Sequence, residues 1–192
     1  GLAAVLAIGV AVAARLYLRA RQSNRDLAVT NEKLAHASLH DKVTGLLNRR
    51  AMEVDTRAIE LAGMASYCNV SISVKQFGLI VGSVGHQLGD ALLCQIAARL
   101  DQAVRRFEGR LYRVDGVTFG ALLHFGHDPQ RLRTILEALA ATMDTPFEIG
   151  NQDLIVSIGV GASEYPKDAG SVDEVARLAE LAKLQLHADP GN

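Results

Sequence analysis

One dipeptide restricts the fold more than any other feature: Asp115-Gly116 stands between two apolar runs, Leu111 to Val114 and Val117 to Leu123. A pair that tolerates positive φ, set between two β-forming runs, reads as a tight hairpin. Tight hairpins join antiparallel neighbours, whereas parallel strands need long crossovers. The pattern therefore argues for an α+β sandwich and against a doubly wound sheet.

The flanking segments agree. Tyr67 to Val74 reads as a strand, with Cys68, Val70, Ile72 and Val74 on one face and Asn69, Ser71 and Ser73 on the other. Leu88, Leu92, Ile96, Leu100, Val104 and Phe107 recur at helical spacing. Asp128 with Pro129 starts a helix carrying Leu132, Ile135, Leu136, Leu139 and Met143. Leu154, Val156, Ile158 and Val160 alternate as one further strand. Ser171 and Glu174 form a capping box ahead of Val175, Leu178, Ala182 and Leu186.

The length, 192 residues, suits one domain and an appendage, and a 49% hydrophobic share can fill a core. A net charge of -1 and the lack of a basic stripe argue against a nucleic-acid partner. Cys68 and Cys94 have neither metal-ligand nor CxxC spacing and are expected to be buried, inert thiols in a reducing cytoplasm.

Gly1 to Ala14 carries no charged residue and then meets Arg15, Arg19, Arg21 and Arg25, with Tyr17 among them. Residues 1–20 are expected to be the end of a transmembrane helix, the arginines marking its cytoplasmic side. A buried core helix is the alternative. Residues 21–37 have no Pro or Gly and place Leu27 and Leu34 seven apart. They are expected to form a helical linker, either a plain connector or a helix that pairs with a second copy.

His40-Asp41-Lys42-Val43-Thr44-Gly45-Leu46-Leu47-Asn48-Arg49-Arg50 resembles the entry motif of GGDEF (diguanylate cyclase-like) domains. Phe77 with Gly85-His86-Gln87-Leu88-Gly89-Asp90-Ala91-Leu92-Leu93 is similar to that family's second motif. Ser157-Ile158-Gly159-Val160-Gly161 with Tyr165-Pro166 resembles its third, and Ala179 to Asn192 a worn form of its last. Four pieces in order cover residues 38–192. The resemblance implies a central antiparallel sheet flanked by helices, like the palm of nucleotidyl cyclases. It also implies Mg²⁺ or Mn²⁺ and two GTP molecules joined into cyclic di-GMP.

Set against that pattern, the expected metal carboxylates are missing. Ser73 and Lys75 stand at the strand-end acidic positions, and the signature reads Asp115-Gly116-Val117-Thr118-Phe119. A hydroxyl, a valine and an ammonium do not hold a hard cation. The resemblance places a phosphate-contacting lysine at Gly78 and a guanine-reading asparagine at Val81. The closing lysine and arginine fall at His187 and Gly191. Asp90 keeps its base-reading type, but a carboxylate in a first helical turn also favours the macrodipole. The feedback site keeps Arg106 and has Gly109 where its acidic partner belongs. His36, His40, His86, His124, His127 and His187 make no ligand-spaced cluster, so no metal site is expected.

The expected function is a catalytically inactive GGDEF domain that serves as a regulatory or dimerisation module, needing no cofactor. The alternatives are an allosteric GTP-binding domain without turnover and an unconventional cyclase built around Asp115. The resemblance further implies a following EAL domain in the same polypeptide. The linker helix is expected to support a homodimer, and residues 1–20 to place the protein in the inner membrane of a bacterium, with the domain facing the cytoplasm.

Overall fold

The computed structural model describes residues 15, 19, 21, 22, 38–62, 67–124, 126, 128–165 and 168. The chain divides into two units, Gly1–Ser38 and Leu39–Asn192. In the first, Arg15, Arg19, Arg21, Gln22 and Ser38 are helical. Among the described residues no helix is long and apolar enough to cross a membrane. The span expected over residues 1–20 and the linker over 21–37 lie almost wholly outside the described residues. So do the capping box at Ser171 and the closing motif.

In the second unit β1 (Leu47–Asn48) runs straight into α1 (Arg49–Leu61). Asn48 sets that boundary by accepting the Ala51 N–H at 3.1 Å, satisfying one of the donors a helix start leaves open. β2 (Tyr67–Val74), α2 (Phe77–Val84) and α3 (His86–Arg105) follow, then β3 (Arg110–Asp115) and β4 (Thr118–Leu123). α4 (Pro129–Ala141) begins as expected, with Asp128 accepting the Gln130 N–H at 2.9 Å and Pro129 in the first turn. β5 (Phe147–Ile149) and β6 (Gln152–Leu154) make a separate two-stranded ribbon, and β7 (Ile158–Tyr165) closes the main sheet.

The five-stranded sheet has the order β1-β3-β4-β2-β7. Four of its strands, with the helices between them, form a β-α-β-β-α-β unit whose inner strands are β4 and β2. The expectation of an antiparallel sheet needs one correction: β1 pairs parallel with β3, so the sheet is mixed. α3 and α4 cover one face, where Leu92, Ile96, Leu100, Ile135 and Leu139 meet Val70, Ile72, Phe119 and Ala121. On the other face Ala51 and Met52 of α1 pack with Tyr67, Tyr112 and Leu122. Asn69 and Ser71 are consequently buried instead of facing solvent.

Two further expectations change. The single strand drawn through Leu154, Val156, Ile158 and Val160 is in fact β6 and β7, separated by a break in which Ile155 is exposed. A period-two pattern reports faces and says nothing of which partner a strand has. α2 was not read as a helix, because its sequence, Phe77 to Val84, is apolar all round and has no helical face to detect.

Candidate functional site

The signature hairpin turns one residue later than the sequence implied. Asp115 pairs with Thr118, leaving Gly116 and Val117 as the two-residue loop. Gly116 takes the positive φ, 25°, that the first position of such a loop can require. Val117 turns inward and packs against the main core, and its carbonyl accepts the Val74 N–H at 3.1 Å. Phe119 is wholly buried. Ser73, in β2, faces Thr118 across one ladder and Gly159 across the other. Lys75 follows in the turn after β2, its N–H bonded to the Ser157 carbonyl at 2.8 Å.

The fold thus brings Ser73, Val117 and Thr118 to one end of the sheet. What meets there is two hydroxyls and an isopropyl group, a poor donor set for a hard divalent cation. Asp115 ends β3 exposed and borders a different cleft of about 680 Å³, together with Asp41, Arg49, Arg50, Glu53 and Arg113. Among the described residues no group of three or more His, Cys, Asp or Glu could hold a metal ion.

The residue that holds this turn was not singled out in the sequence. Arg113 donates from Nε and Nη2 to the Gly116 carbonyl at 3.0 and 2.7 Å, and from Nη1 to Asp41 Oδ1 at 2.7 Å. Asp41 Oδ1 also accepts from the Thr44 N–H at 2.8 Å and the Thr44 hydroxyl at 2.7 Å. Burial pushes the Asp41 carboxyl up, but the Thr44 N–H and the Arg113 guanidinium outweigh it and leave it below the usual carboxylate range. Asp41 lies in the entry motif, yet its partner is 72 residues away, so only the fold could pair them.

Between α2 and α3 lies a second cleft of about 470 Å³, lined by Phe77, Gly78, Val81, Gly82, His86, Gly89 and Asp90. A Cβ at Gly89 would meet Val81 Cγ2 at 2.7 Å, so the helices touch there through a glycine and a valine methyl. Gly78 is exposed with open space around it, and Asp90 and His86 are exposed on α3. The fold therefore gathers Gly78, Val81 and Asp90 into one place. Valine offers no hydrogen bond to a base edge, and glycine offers no charge to a phosphate.

Arg106 and Gly109 occupy the turn that ends α3. The Gly109 N–H bonds the Val104 carbonyl and the Glu108 N–H bonds that of Arg105, both at 3.1 Å, the pairing of a Schellman motif. Glu108 takes the left-handed position, φ 58°, where glycine is usual. A Cβ at Gly109 would meet Leu123 Cδ2 and Val104 Cγ1 at 2.8 Å each. Arg106 is exposed beside it.

His36, His127 and His187 lie outside the described residues; His40, His86 and His124 are on separate elements. Cys68 is buried as expected, and burial pushes its thiol up to about 12. Cys94 corrects the expectation: it is exposed on α3, its Sγ 3.1 Å from the Val43 carbonyl.

The family model described as diguanylate cyclase, GGDEF domain, matches residues 38–192. The chain is 28% identical over 187 residues to the bifunctional diguanylate cyclase/cyclic di-GMP phosphodiesterase MucR of Pseudomonas aeruginosa. That match takes in 93% of this chain and 27% of MucR, so the chain spans about a quarter of that relative. Diguanylate cyclase SiaD of P. aeruginosa superposes with a TM-score of 0.72 at 27% identity, covering 92% of this chain and 67% of SiaD. The coiled coil and GGDEF domain of DgcB from Caulobacter crescentus gives a TM-score of 0.80 over 93% of this chain and 95% of that one, a likeness of fold at 20% identity.

Proposed function

This chain belongs to the GGDEF domain family, and from that premise we propose that it is a regulatory and dimerisation domain of cyclic di-GMP signalling that does not itself make cyclic di-GMP. The observation that carries the reading is the pairing of Ser73 with Thr118 beside an inward-turned Val117. Where a cyclase needs carboxylates around its cation, this end of the sheet offers hydroxyls and an aliphatic group. Without a cation the triphosphate charge is unneutralised and the attacking hydroxyl unactivated. Val81 against Gly89 and the bare Gly78 weaken base and phosphate recognition as well. No cofactor is assigned to the domain.

The test is incubation of the full 192-residue chain with labelled GTP and Mn²⁺, resolved by chromatography. No cyclic di-GMP above a protein-free control is expected; product would reject the reading and point to an unconventional cyclase around Asp115. A second reading, GTP binding without turnover, is favoured by one observation, the open cleft that still carries Asp90. Equilibrium dialysis with GTP separates the two, since saturable binding without product selects the second.

The wider context follows the same premise. Residues 1–20 are assigned to a membrane anchor in a bacterial inner membrane, with the GGDEF domain in the cytoplasm, and residues 21–37 to a helix that pairs two copies. An EAL domain is assigned to follow, in keeping with the two activities in MucR's name. Sedimentation of the chain in detergent should show a dimer at micromolar concentration, and a strict monomer would remove the pairing. A stop codon directly after Asn192 in the gene would remove the EAL domain.

A further inference from the structure

α2 lacks the burial that normally holds a helix in place. None of its eight residues is buried, and its sequence carries no charge. Phe77 and Val81 turn toward α3, where they lie over Gly89. Gly78, Leu79, Gly82 and Ser83 make up the opposite side and are all exposed, Leu79 at 75%. An apolar helix left open to water along one side marks an association surface.

That side complements itself in shape and in charge. Gly78 and Gly82 lie about one turn apart, and a Cβ at either would meet nothing within 4 Å. They leave an open notch between the α2–α3 cleft and the projecting Leu79. Small residues at this spacing let a second helix approach closely. A two-fold axis uses the same patch on both copies, so each Leu79 can enter the other's notch. At the rim, His86 and Asp90 stand about one turn apart on α3, exposed, and line the cleft with the two glycines. His86 brings a ring N–H and Asp90 a carboxylate, and the same axis sets each opposite the other's counterpart. A lipid surface could use Leu79, but it would fill no notch and would have to face the Asp90 carboxylate.

We propose that α2 is a docking face for a second copy of this chain, paired two-fold through Leu79 and the Gly78–Gly82 notch. The proposal rests on the dimerisation reading above and deepens it, adding a contact between domains to the pairing of the linker. A patch on a helix of about two turns is smaller than a stable interface needs by itself. Two copies already joined through residues 21–37 make the contact intramolecular, where a high effective concentration compensates for the small area. Pairing also covers the α2–α3 cleft and so closes the approach to Asp90.

The test is cross-linking of the full chain in mild detergent with a short bis-maleimide, every variant carrying Cys94→Ser to remove the exposed thiol. Ser83→Cys, at the edge of the patch, should cross-link about tenfold faster than Thr134→Cys, exposed on α4 outside it. Leu79→Glu and Gly82→Leu should each remove that excess. Neither threatens the fold, since Leu79 is exposed, the space over Gly82 is open and leucine favours a helix over glycine. Sedimentation of the same samples reads the linker separately. A dimer in which Ser83→Cys and Thr134→Cys cross-link equally overturns this proposal and leaves the linker pairing standing. If the chain sediments as a monomer, a dimeric coiled coil fused ahead of Gly1 joins two copies whatever residues 21–37 do. The excess at Ser83→Cys should appear in that fusion, and its absence there overturns the proposal. Cross-linking unchanged by both Leu79→Glu and Gly82→Leu does so too. A fluorophore on Ser83→Cys that phosphatidylglycerol vesicles shield, with no cross-link, overturns it in favour of a lipid surface.

Discussion

The family resemblance puts Gly109 at the acidic position of a feedback site, and the packing around Gly109 closes that position to a side chain. Leu123 and Val104 lie 2.8 Å from where a Cβ would be, and both are buried in the main core with little room to withdraw. Gly109→Asp is therefore expected to cost about 1–3 kcal/mol, the range for forcing atoms into a filled core. Gly109→Ala should cost a comparable amount, since the clash begins at Cβ. Urea denaturation of both variants checks this, with cyclic di-GMP titration alongside. A Gly109→Asp chain that keeps its stability and binds cyclic di-GMP would show the turn to be more pliable than its contacts indicate. Val117 behaves differently: its change removes a polar side chain and adds an apolar one to the core edge. Reverting it removes packing even as it restores a carboxylate.

Among the elements, the β5–β6 ribbon depends on α3. Arg99 donates to the carbonyls of Thr142, Thr145 and Pro146 at 3.3, 2.5 and 2.8 Å, and its guanidinium lies 3.7 Å from the centre of the Phe147 ring. Gln95 adds a bond to the Glu148 carbonyl at 3.0 Å. The carbonyls at the end of α4 and in the loop beyond it would otherwise need water, and the guanidinium fork reaches three at once. Arg99→Ala is expected to destabilise the chain by roughly 2–3 kcal/mol, from charge-assisted bonds and the ring contact together. Arg99→Lys should recover less than half, because an ammonium cannot span the fork. Calorimetry gives the total, and hydrogen exchange at Phe147 and Ile149 should rise before exchange in β2 does. Uniform loss of protection across both sheets would assign Arg99 to the global fold instead.

Over the whole molecule, the positions where the sequence differs from the family pattern it resembles fall in three separate places: the end of the sheet at Ser73 and Thr118, the α2–α3 cleft, and the turn after α3. Because they share no side chain, repairing one leaves the others. Each missing contact to a transition state is worth about 2–4 kcal/mol, or roughly 10²–10³ in rate. The combined reversion Ser73→Asp, Val117→Asp, Thr118→Glu is expected to produce at most weak Mn²⁺ binding and no measurable product from GTP. Titration calorimetry with Mn²⁺ followed by the turnover assay tests both parts. Robust turnover in the triple variant would mean that Gly78 and Val81 matter little, and that the metal site alone had silenced the domain.

What the sequence determined by itself was local in origin. The hairpin around Gly116, the Asp128 cap and the apolar stripe of α3 rest on neighbours within a turn or a strand pair, and all three are present. The roles of Ser73, Val81, Asp90 and Gly109 came from the resemblance of the sequence to the family's motifs. The sequence could not show contacts whose partners are distant along the chain. Asp41 meets Arg113 across 72 residues, Arg110 and Tyr112 meet Asp55 across 55 and 57, and Arg99 reaches Thr145 across 46. The parallel pairing of β1 with β3 and the change of partner between β6 and β7 belong to the same class. Periodicity fixes which side of an element is apolar. Only packing of the elements decides what lies opposite each polar group, and therefore that Ser73 faces a hydroxyl and that Asp55 meets Arg110 and Tyr112.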